Sequence, residues 1–500
     1  MPRPVPLRGV IEGFYGPPWA HDARLEVVDF LAARGMNAYV YAPKSDPRHR
    51  DRWREPYPAH ELAQLADLAT RCHDAGTCFG FAVSPGLDID YGDPADRAAL
   101  LDKLGAMVDA GVTWLVLAVD DIPNRPGLAA EQAELTAWLV GALGDRTGSS
   151  IRCSLVPTEY VGTRPSPYLS TLAAELPSDV DVFWTGPTVC SPTITGRDAR
   201  AWRDAIGGRP LLLWDNYPVN DAVMERELHL GAYRGRDASL SDVVDGVLCN
   251  PMLQPRASLV ALATAAEYLG DPGGYEPDAA WERAIAALGG PRARSLRALA
   301  RACCDGPLAD PETLPTARLA EALAETVDTR AWVDAATSLR EELSDLRDAA
   351  RGWPDDDPMR AELKPWLEQA AREADAGLAA LRLVQQTHSI GPADGGAPIE
   401  PDPESAMIHA FALLFAWSAA RDAPPRVVLG PRFAMHPAVV QRADGRPALD
   451  VDLAVRENRS VVDRLARLAL ARYREVTSRP DRSSAPVPAE RLPFPDQRLS

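Results

Sequence analysis

Two adjacent carboxylates, Asp120 and Asp121, close the stretch WLVLAVDDIP at residues 114–123, after six apolar side chains. Like charges side by side repel and resist leaving water, so their place at the end of a run that reads as a buried strand asks for a chemical reason. Two carboxylates in one pocket are the minimum equipment for glycoside hydrolysis, where one protonates the leaving oxygen and the other supports an oxocarbenium-like transition state. Neighbouring strand residues point to opposite faces, so both acids reach one ligand only where the strand has ended and the backbone is turning. They are too close for the spaced acid and nucleophile of the usual retaining scheme. Where the substrate's own 2-acetamido group is the nucleophile, one carboxylate polarises that amide and another acts as acid and then base, and adjacent aspartates suit this division. A carboxylate beside another and shielded from water has a raised proton affinity, as a general acid at neutral pH requires. Chain order alone does not say which of the two is raised.

The elements that must position these acids are legible upstream and downstream. Between residue 8 and about residue 270, eight β-rich apolar runs alternate with helix-like stretches: GVIEGFYG, NAYVYAP, CFGFAVSPG, TWLVLAVDD, IRCSLVPTEY, DVFWTG, PLLLWDN and GVLCNP. Strands buried on both faces and separated by helices predict an α/β fold, a closed (β/α)8 TIM barrel. The rival, an open doubly wound sheet, lacks its Gly-rich phosphate fingerprint, since Pro17 and Pro18 follow the glycines of EGFYGPPW. Barrel chemistry sits at the C-terminal ends of strands. Those ends carry Glu12, Gly13, Tyr15, Lys44, Asp46, Asp120, Asp121, Glu159, Tyr160, Trp184, Thr185, Trp214, Asp215, Asn216, Asp221 and Asn250. Acids, amides and aromatic rings converging on one mouth suit a neutral polyhydroxylated ligand; a phosphate would ask for more cations than Lys44. Any one such residue could equally cap a loop or helix.

Beyond about residue 275 the composition shifts to Ala, Leu, Arg and Glu at helical spacing, and strand-like runs nearly vanish. The expected organisation is a barrel over 1–275, an α-helical bundle over 276–476 and a flexible tail over 477–500, with a Pro- and Gly-rich break at 389–404. Asp355, Asp356 and Asp357 read as an acidic helix N-terminus. The formal charge of −18, from 53 basic and 71 acidic side chains, disfavours nucleic acid or an anionic membrane as partner, and an acidic surface also serves solubility. The N-terminus MPRPVPLRG lacks an apolar signal region and no apolar run reaches spanning length, so a cytoplasmic protein is expected. Seven scattered cysteines give no disulfide framework; Cys72, His73 and Cys78 match no zinc spacing, and no metal or cofactor is expected.

The motifs RGVIEGFYGPPW, NAYVYAPKSDPRHRDRWREPYP, SPGLDI, DDI, PTEYVGT, WTGP, WDNYPVND and the NP after the eighth run lie in order over roughly residues 7–270. This set resembles the catalytic domain of glycoside hydrolase family 84, the O-GlcNAcase and bacterial β-N-acetylglucosaminidase family. The resemblance implies that Asp120 orients and polarises the acetamido group as it closes to an oxazoline, and that Asp121 is the general acid and then the base, with retention of configuration. It implies a hydrogen bond from Tyr160 near the reacting amide and an aromatic wall of the acetyl pocket from Trp214. Gly13, Lys44, Asn216, Asp221 and Asn250 would bind the sugar hydroxyls, Gly13 through its backbone. Arg164 stands where some relatives carry an aromatic residue, which points to a different aglycone side. No segment resembles the acetyltransferase-like domain of the animal enzymes.

The expected activity is therefore a retaining exo-β-N-acetylglucosaminidase acting on a GlcNAc-bearing glycan or glycosylated protein, with a homodimer through the helical region as a further expectation. A hyaluronan-cleaving enzyme of the same family, or a non-catalytic GlcNAc-binding protein on the same scaffold, stands as the alternative.

Overall fold

The structure, a computed structural model, describes residues 2–148, 151–303, 314–326, 329–387, 403–421, 426–430, 433–441, 447–455 and 460–477. Eight parallel strands close into a barrel in sequence order: β1 (Leu7–Glu12), β2 (Ala38–Tyr41), β3 (Cys78–Val83), β4 (Trp114–Ala118), β5 (Arg152–Val156), β6 (Asp181–Trp184), β7 (Leu211–Asp215) and β8 (Gly246–Cys249). Helices α1 (His21–Ala32), α2 (Ala59–Asp74), α3 (Pro94–Asp109), α4 (Leu128–Thr147), α5 (Pro167–Glu175) and α6 (Gly196–Ala205) follow the first six strands, and α7 (Pro255–Gly270) follows β8. Each strand is buried along nearly its whole length, because one face packs into the barrel and the other under the helices. That double burial is why the runs read as continuously apolar.

The barrel interior is filled rather than hollow. Ile11, Val40, Ala82, Val116, Leu212 and Leu248 pack with an aromatic column in which Trp114 stacks on Phe183 at 6.3 Å and Phe183 meets Trp214 edge-on at 6.1 Å. This column supports the floor on which the strand-end residues stand.

The expectation of a helix after every strand fails once. Between β7 and β8, residues 216–245 hold only two single 3-10 turns, Ala222–Met224 and Ala238–Asp242. The stretch NYPVNDAVMERELHLGAYRGRDASLSD is punctuated by Pro, Asn, Asp and Gly, which favour turns over a continuous helix.

Past the barrel lie α8 (Pro277–Gly289), α9 (Ala293–Cys303), α10 (Pro315–Glu325), α11 (Thr329–Asp348), α12 (Pro358–Thr387), α13 (Pro403–Arg421) and α14 (Val461–Thr477). They share an apolar core that includes Leu296, Leu339, Leu363, Trp366, Leu381 and Leu465. The 355–357 acids sit at the start of α12, where Asp357 accepts from the Arg360 N–H at 3.0 Å. The helical region is tied to the barrel through Glu362 of α12, which accepts the first-turn N–H groups of Arg256 and Ala257 at the start of α7 at 2.9 and 3.0 Å.

The reading of 276–476 as helical misses one hairpin, the antiparallel pair β9 (Phe433–Gln441) and β10 (Pro447–Val455). Its signal is in the sequence: Leu449, Val451, Leu453 and Val455 alternate with polar or small residues, and an Asp-Gly dipeptide at 444–445 separates the strands. Most of the 389–404 break and the tail beyond 477 lie outside the described residues. Cys72 is buried in the core between α2 and the sheet, where burial pushes its thiol up to about 12. Among the described residues no three metal-ligating side chains converge, and no helix is long and apolar enough to cross a membrane.

Candidate active site

Strand β4 ends at Ala118, and shortly after it the chain turns at Asp121 with φ of 55°, a left-handed conformation that Asp tolerates better than most side chains. This turn resolves the geometric difficulty of neighbouring residues facing apart. Both carboxylates open into one cavity of about 730 Å³ at the C-terminal mouth of the barrel, and that volume includes its opening to solvent.

The two acids sit in different surroundings. Lys44 Nζ donates to Asp120 Oδ2 at 2.6 Å and stands 3.8 Å from Asp121 Oδ2, with its side chain 2% exposed. The other oxygen, Asp120 Oδ1, is buried and accepts no hydrogen bond from any described residue. Asp121 accepts from the Tyr15 hydroxyl at 2.6 Å and the Tyr160 hydroxyl at 2.8 Å. Burial pushes Asp120 above the ordinary carboxylate range, with the Asp121 charge adding to it and Lys44 pulling the other way. Burial works on Asp121 in the same sense, but Lys44, Arg50 and the two tyrosine donors outweigh it and hold Asp121 below that range. The raised member of the pair is therefore Asp120.

The remaining candidates named from the sequence converge on the same cavity: Gly13, Lys44, Tyr160, Trp214, Asn216, Asp221 and Asn250 all line it. Four of these residues form a hydrogen-bonded ladder, in which Asn216 Oδ1 accepts from Trp214 Nε1 and Asn250 Nδ2, both at 3.0 Å, and Asn250 Oδ1 accepts from the Gly13 N–H at 3.2 Å. Gly13 has to be glycine because a Cβ there would lie 2.1 Å from the Trp214 ring. Asp221 Oδ2 accepts from the Tyr15 N–H at 2.7 Å, and burial pushes Asp221 up to about 6.

Other polar strand ends are engaged in the wall. Glu12 is fully buried in a two-pronged pair with Arg24, at 2.8 and 2.9 Å, and also accepts from Tyr39 and the Trp19 N–H. Asp46 accepts from the hydroxyls of Tyr41 and Tyr57, and Asp215 is held by Arg236 and Tyr233. Glu159 bonds to Asn124 and Ser166, and the Trp184 indole donates to the Gly162 carbonyl. Thr185 does line the cavity.

Two groups at the site carry no role in the sequence reading. Tyr15 holds Asp121 through its hydroxyl and Asp221 through its backbone. Arg50, buried 5.9 Å from the Tyr15 ring centre, is anchored by Ser84 at 3.1 Å and adds a second positive charge to the acid pair. Their signal was proximity in the fold. Val189, Cys190, Val219 and Met224 supply an apolar side of the cavity and likewise come from loops without a periodic pattern.

Comparison with known proteins decides the family. The beta-N-acetylglucosaminidase family model matches residues 8–301, more than half of the chain and nearly all of the barrel with its first bundle helices. The chain belongs to the β-N-acetylglucosaminidase family, glycoside hydrolase family 84. It is 35% identical over 273 residues to the protein O-GlcNAcases of Rattus norvegicus and Mus musculus, a match covering 52% of this chain. It spans 30% of the length of those curated relatives. Its fold matches that of a mutant O-GlcNAc hydrolase from Thermobaculum terrenum with a TM-score of 0.77 and 29% identity, over 94% of this chain and 95% of the other. That structural likeness runs through the helical region as well as the barrel.

Proposed function

We propose that the cavity is the active site of a retaining exo-β-N-acetylglucosaminidase of O-GlcNAcase type that works by substrate assistance. The carrying observation is the acid pair itself: two carboxylates brought to one side by the turn at Asp121, one of them with a buried, unpartnered oxygen. Asp120 Oδ1 accepts the N–H of the 2-acetamido group and takes its proton as the carbonyl oxygen attacks the anomeric carbon, the bond to the leaving oxygen breaks and a neutral oxazoline closes; the proton returns to nitrogen when water opens the ring. Asp121 protonates the departing oxygen and afterwards takes a proton from the water that opens the oxazoline, returning the original configuration. A nucleophile from the protein is not required, which agrees with acids too close to flank a sugar in the usual retaining way.

The proton must change places for this to run. In the structure Asp120 is the raised acid, whereas the reaction needs Asp120 ionised and Asp121 protonated. An amide N–H donated to Asp120 Oδ1 favours its charged form, and that charge in turn raises Asp121. Lys44, nearer Asp120 than Asp121, favours the same arrangement. Substrate binding thereby sets the acid, and Tyr15 and Tyr160 give up their bonds to Asp121 to serve the ligand.

Trp214 forms the wall against the acetyl group, and Gly13, Lys44, Asn216, Asp221 and Asn250 take the sugar hydroxyls. The substrate is a terminal β-linked GlcNAc on a glycan or on a protein. A reducing compartment such as the cytoplasm suits Cys72, Cys78, Cys153, Cys190 and Cys249, none of which is in a disulfide. A homodimer through the helical region is supported by the outward side of α13, where Ile408, Phe411 and Phe415 are 61%, 58% and 78% exposed; analytical ultracentrifugation showing a monomer at micromolar concentration would exclude it. The experiment for the activity compares an aryl β-GlcNAc glycoside, the matching glucoside and a GlcNAc-modified peptide. Hydrolysis of the first and third with the glucoside inert is expected; comparable rates on glucoside and GlcNAc would refute the reading.

A further inference from the structure

We infer that the helical region helps position the sugar-binding Asp221, with Trp366 of α12 and the backbone at Val427 acting as positioning groups on the segment that joins β7 to β8. The inference rests on the functional reading above and deepens it, since it gives the helices a part in holding the sugar.

The segment has two halves with different allegiances. Its first half carries Asn216, Val219 and Asp221 into the cavity. Its other half runs only as far as Leu230, with Leu228 and Leu230 fully buried in the apolar core of the helical region, and from Tyr233 to Val244 the chain returns to the barrel core. At the apex the Arg226 carbonyl accepts two hydrogen bonds from that region, from Trp366 Nε1 and from the Val427 N–H, both at 2.8 Å. Among the described residues no α-helix intervenes between β7 and β8 to stiffen the connection from within, so its shape depends on such outside ties.

The halves are then locked to each other. Asn220, immediately before Asp221 and fully buried, donates to the Glu227 carbonyl at 2.8 Å. His229, also fully buried, places Nδ1 at 2.7 Å from the Val219 carbonyl and Nε2 at 2.9 Å from Glu227 Oε2. A short bonded path thus runs from Trp366 through Arg226, Glu227 and Asn220 to Asp221. A displacement at the helical end has few soft joints in which to be absorbed, because packed and fully bonded segments shift together.

The test is a double-mutant cycle in the full chain, using an aryl β-GlcNAc glycoside. Trp366→Phe removes the N–H and keeps a buried ring; Leu228→Val perturbs the same half from the other side. Each is measured alone and with Asp221→Asn, and Leu339→Ala on α11 serves as a core truncation remote from the path. Loss of one net hydrogen bond in Trp366→Phe, and of one buried methylene in Leu228→Val, each translates to about a four- to fivefold fall in kcat/KM, carried mainly by KM. In the Asp221→Asn background the same changes should cost less than about 1.5-fold, because the group they act through is already altered. Leu339→Ala should lower Tm and leave KM unchanged. Equal losses in both backgrounds, or a matching KM change from Leu339→Ala, would overturn the inference and leave the contacts as general glue. Calorimetric affinity for GlcNAc, run on the same variants, keeps the cycle decisive if the wild type binds the sugar without hydrolysing it, an outcome that would fail the functional reading alone.

Discussion

Replacing Lys44 by Met removes the strongest charge acting on the acid pair without opening a large hole. At an effective dielectric of about 20, a unit charge 2.6 Å from Asp120 and 3.8 Å from Asp121 interacts at about 6 and 4 kcal/mol. Water entering the vacated space and the remaining charge of Arg50 reduce this to the range typical of a lost neighbouring cation, about 1–3 pKa units or roughly 1.4–4 kcal/mol. The sign follows from what the cation favours: it stabilises ionised carboxylates, so its loss raises both apparent pKa values of the pair. The reactive form holds one proton between the two acids, so both limbs of the kcat/KM profile should move up by about 1–3 pH units. The difference between the two interactions, reduced in the same proportion to about 0.5–1.3 kcal/mol, is the bias toward charge on Asp120, so the maximum should fall by about two- to tenfold. The assay is kcat/KM against pH on an aryl β-GlcNAc glycoside for the wild type, Lys44→Met and Lys44→Arg. The Arg variant keeps the charge and should keep the limbs near their wild-type pH even with reduced activity. Limbs that stay within about 0.3 units in Lys44→Met would refute the electrostatic account of the pair.

Two further outcomes follow from the same site. Asp121→Asn should cost about 10²- to 10⁴-fold on a glycoside with a poor leaving group and far less on a dinitrophenyl glycoside, whose aglycone departs unprotonated; equal losses on both would remove Asp121 as the acid. Asp221, with a folded pKa of about 6 against about 3.9 in the unfolded chain, binds its proton more tightly when folded, so the protein loses stability as pH rises between about 4 and 6. Asp221→Asn keeps the acceptor for the Tyr15 N–H and should raise stability at pH 7.5 by up to about 3 kcal/mol, a gain that vanishes near pH 4 in denaturant melts; a constant difference across that range would contradict the burial of the charge.

The barrel and the acid pair were legible in the sequence because each strand run is apolar on both faces and seven of the eight end on candidate polar or aromatic residues. What the sequence could not show was how two neighbouring acids face one ligand, since nothing in DDI marks a left-handed Asp121. It also could not sort the strand ends. Glu12 and Asp215 look as functional as Asp120, yet Arg24 and Arg236, brought beside them only by the fold, engage them in the wall. Tyr15 stands among the legible strand ends without a mark of its bond to Asp121, and Arg50 is an ordinary side chain in a loop that the closed barrel carries to the acids. The segment between β7 and β8 stands where the rhythm of the chain calls for a helix, while its residues favour turns. The hairpin β9–β10 lies in a region whose composition is helical, and only its Asp-Gly and alternation mark it.

The central claim is that the substrate's amide, held by Asp120, is the nucleophile. Its most direct test is a series of aryl glycosides in which the N-acetyl group carries zero to three fluorines, with kcat/KM measured at the pH optimum of the wild type. Fluorine withdraws electron density from the amide oxygen, so the account predicts a progressive fall across the series, on the order of 10²-fold or more by the trifluoroacetyl member. Rates indifferent to fluorination would contradict it and require the nucleophile to come from the protein or from water.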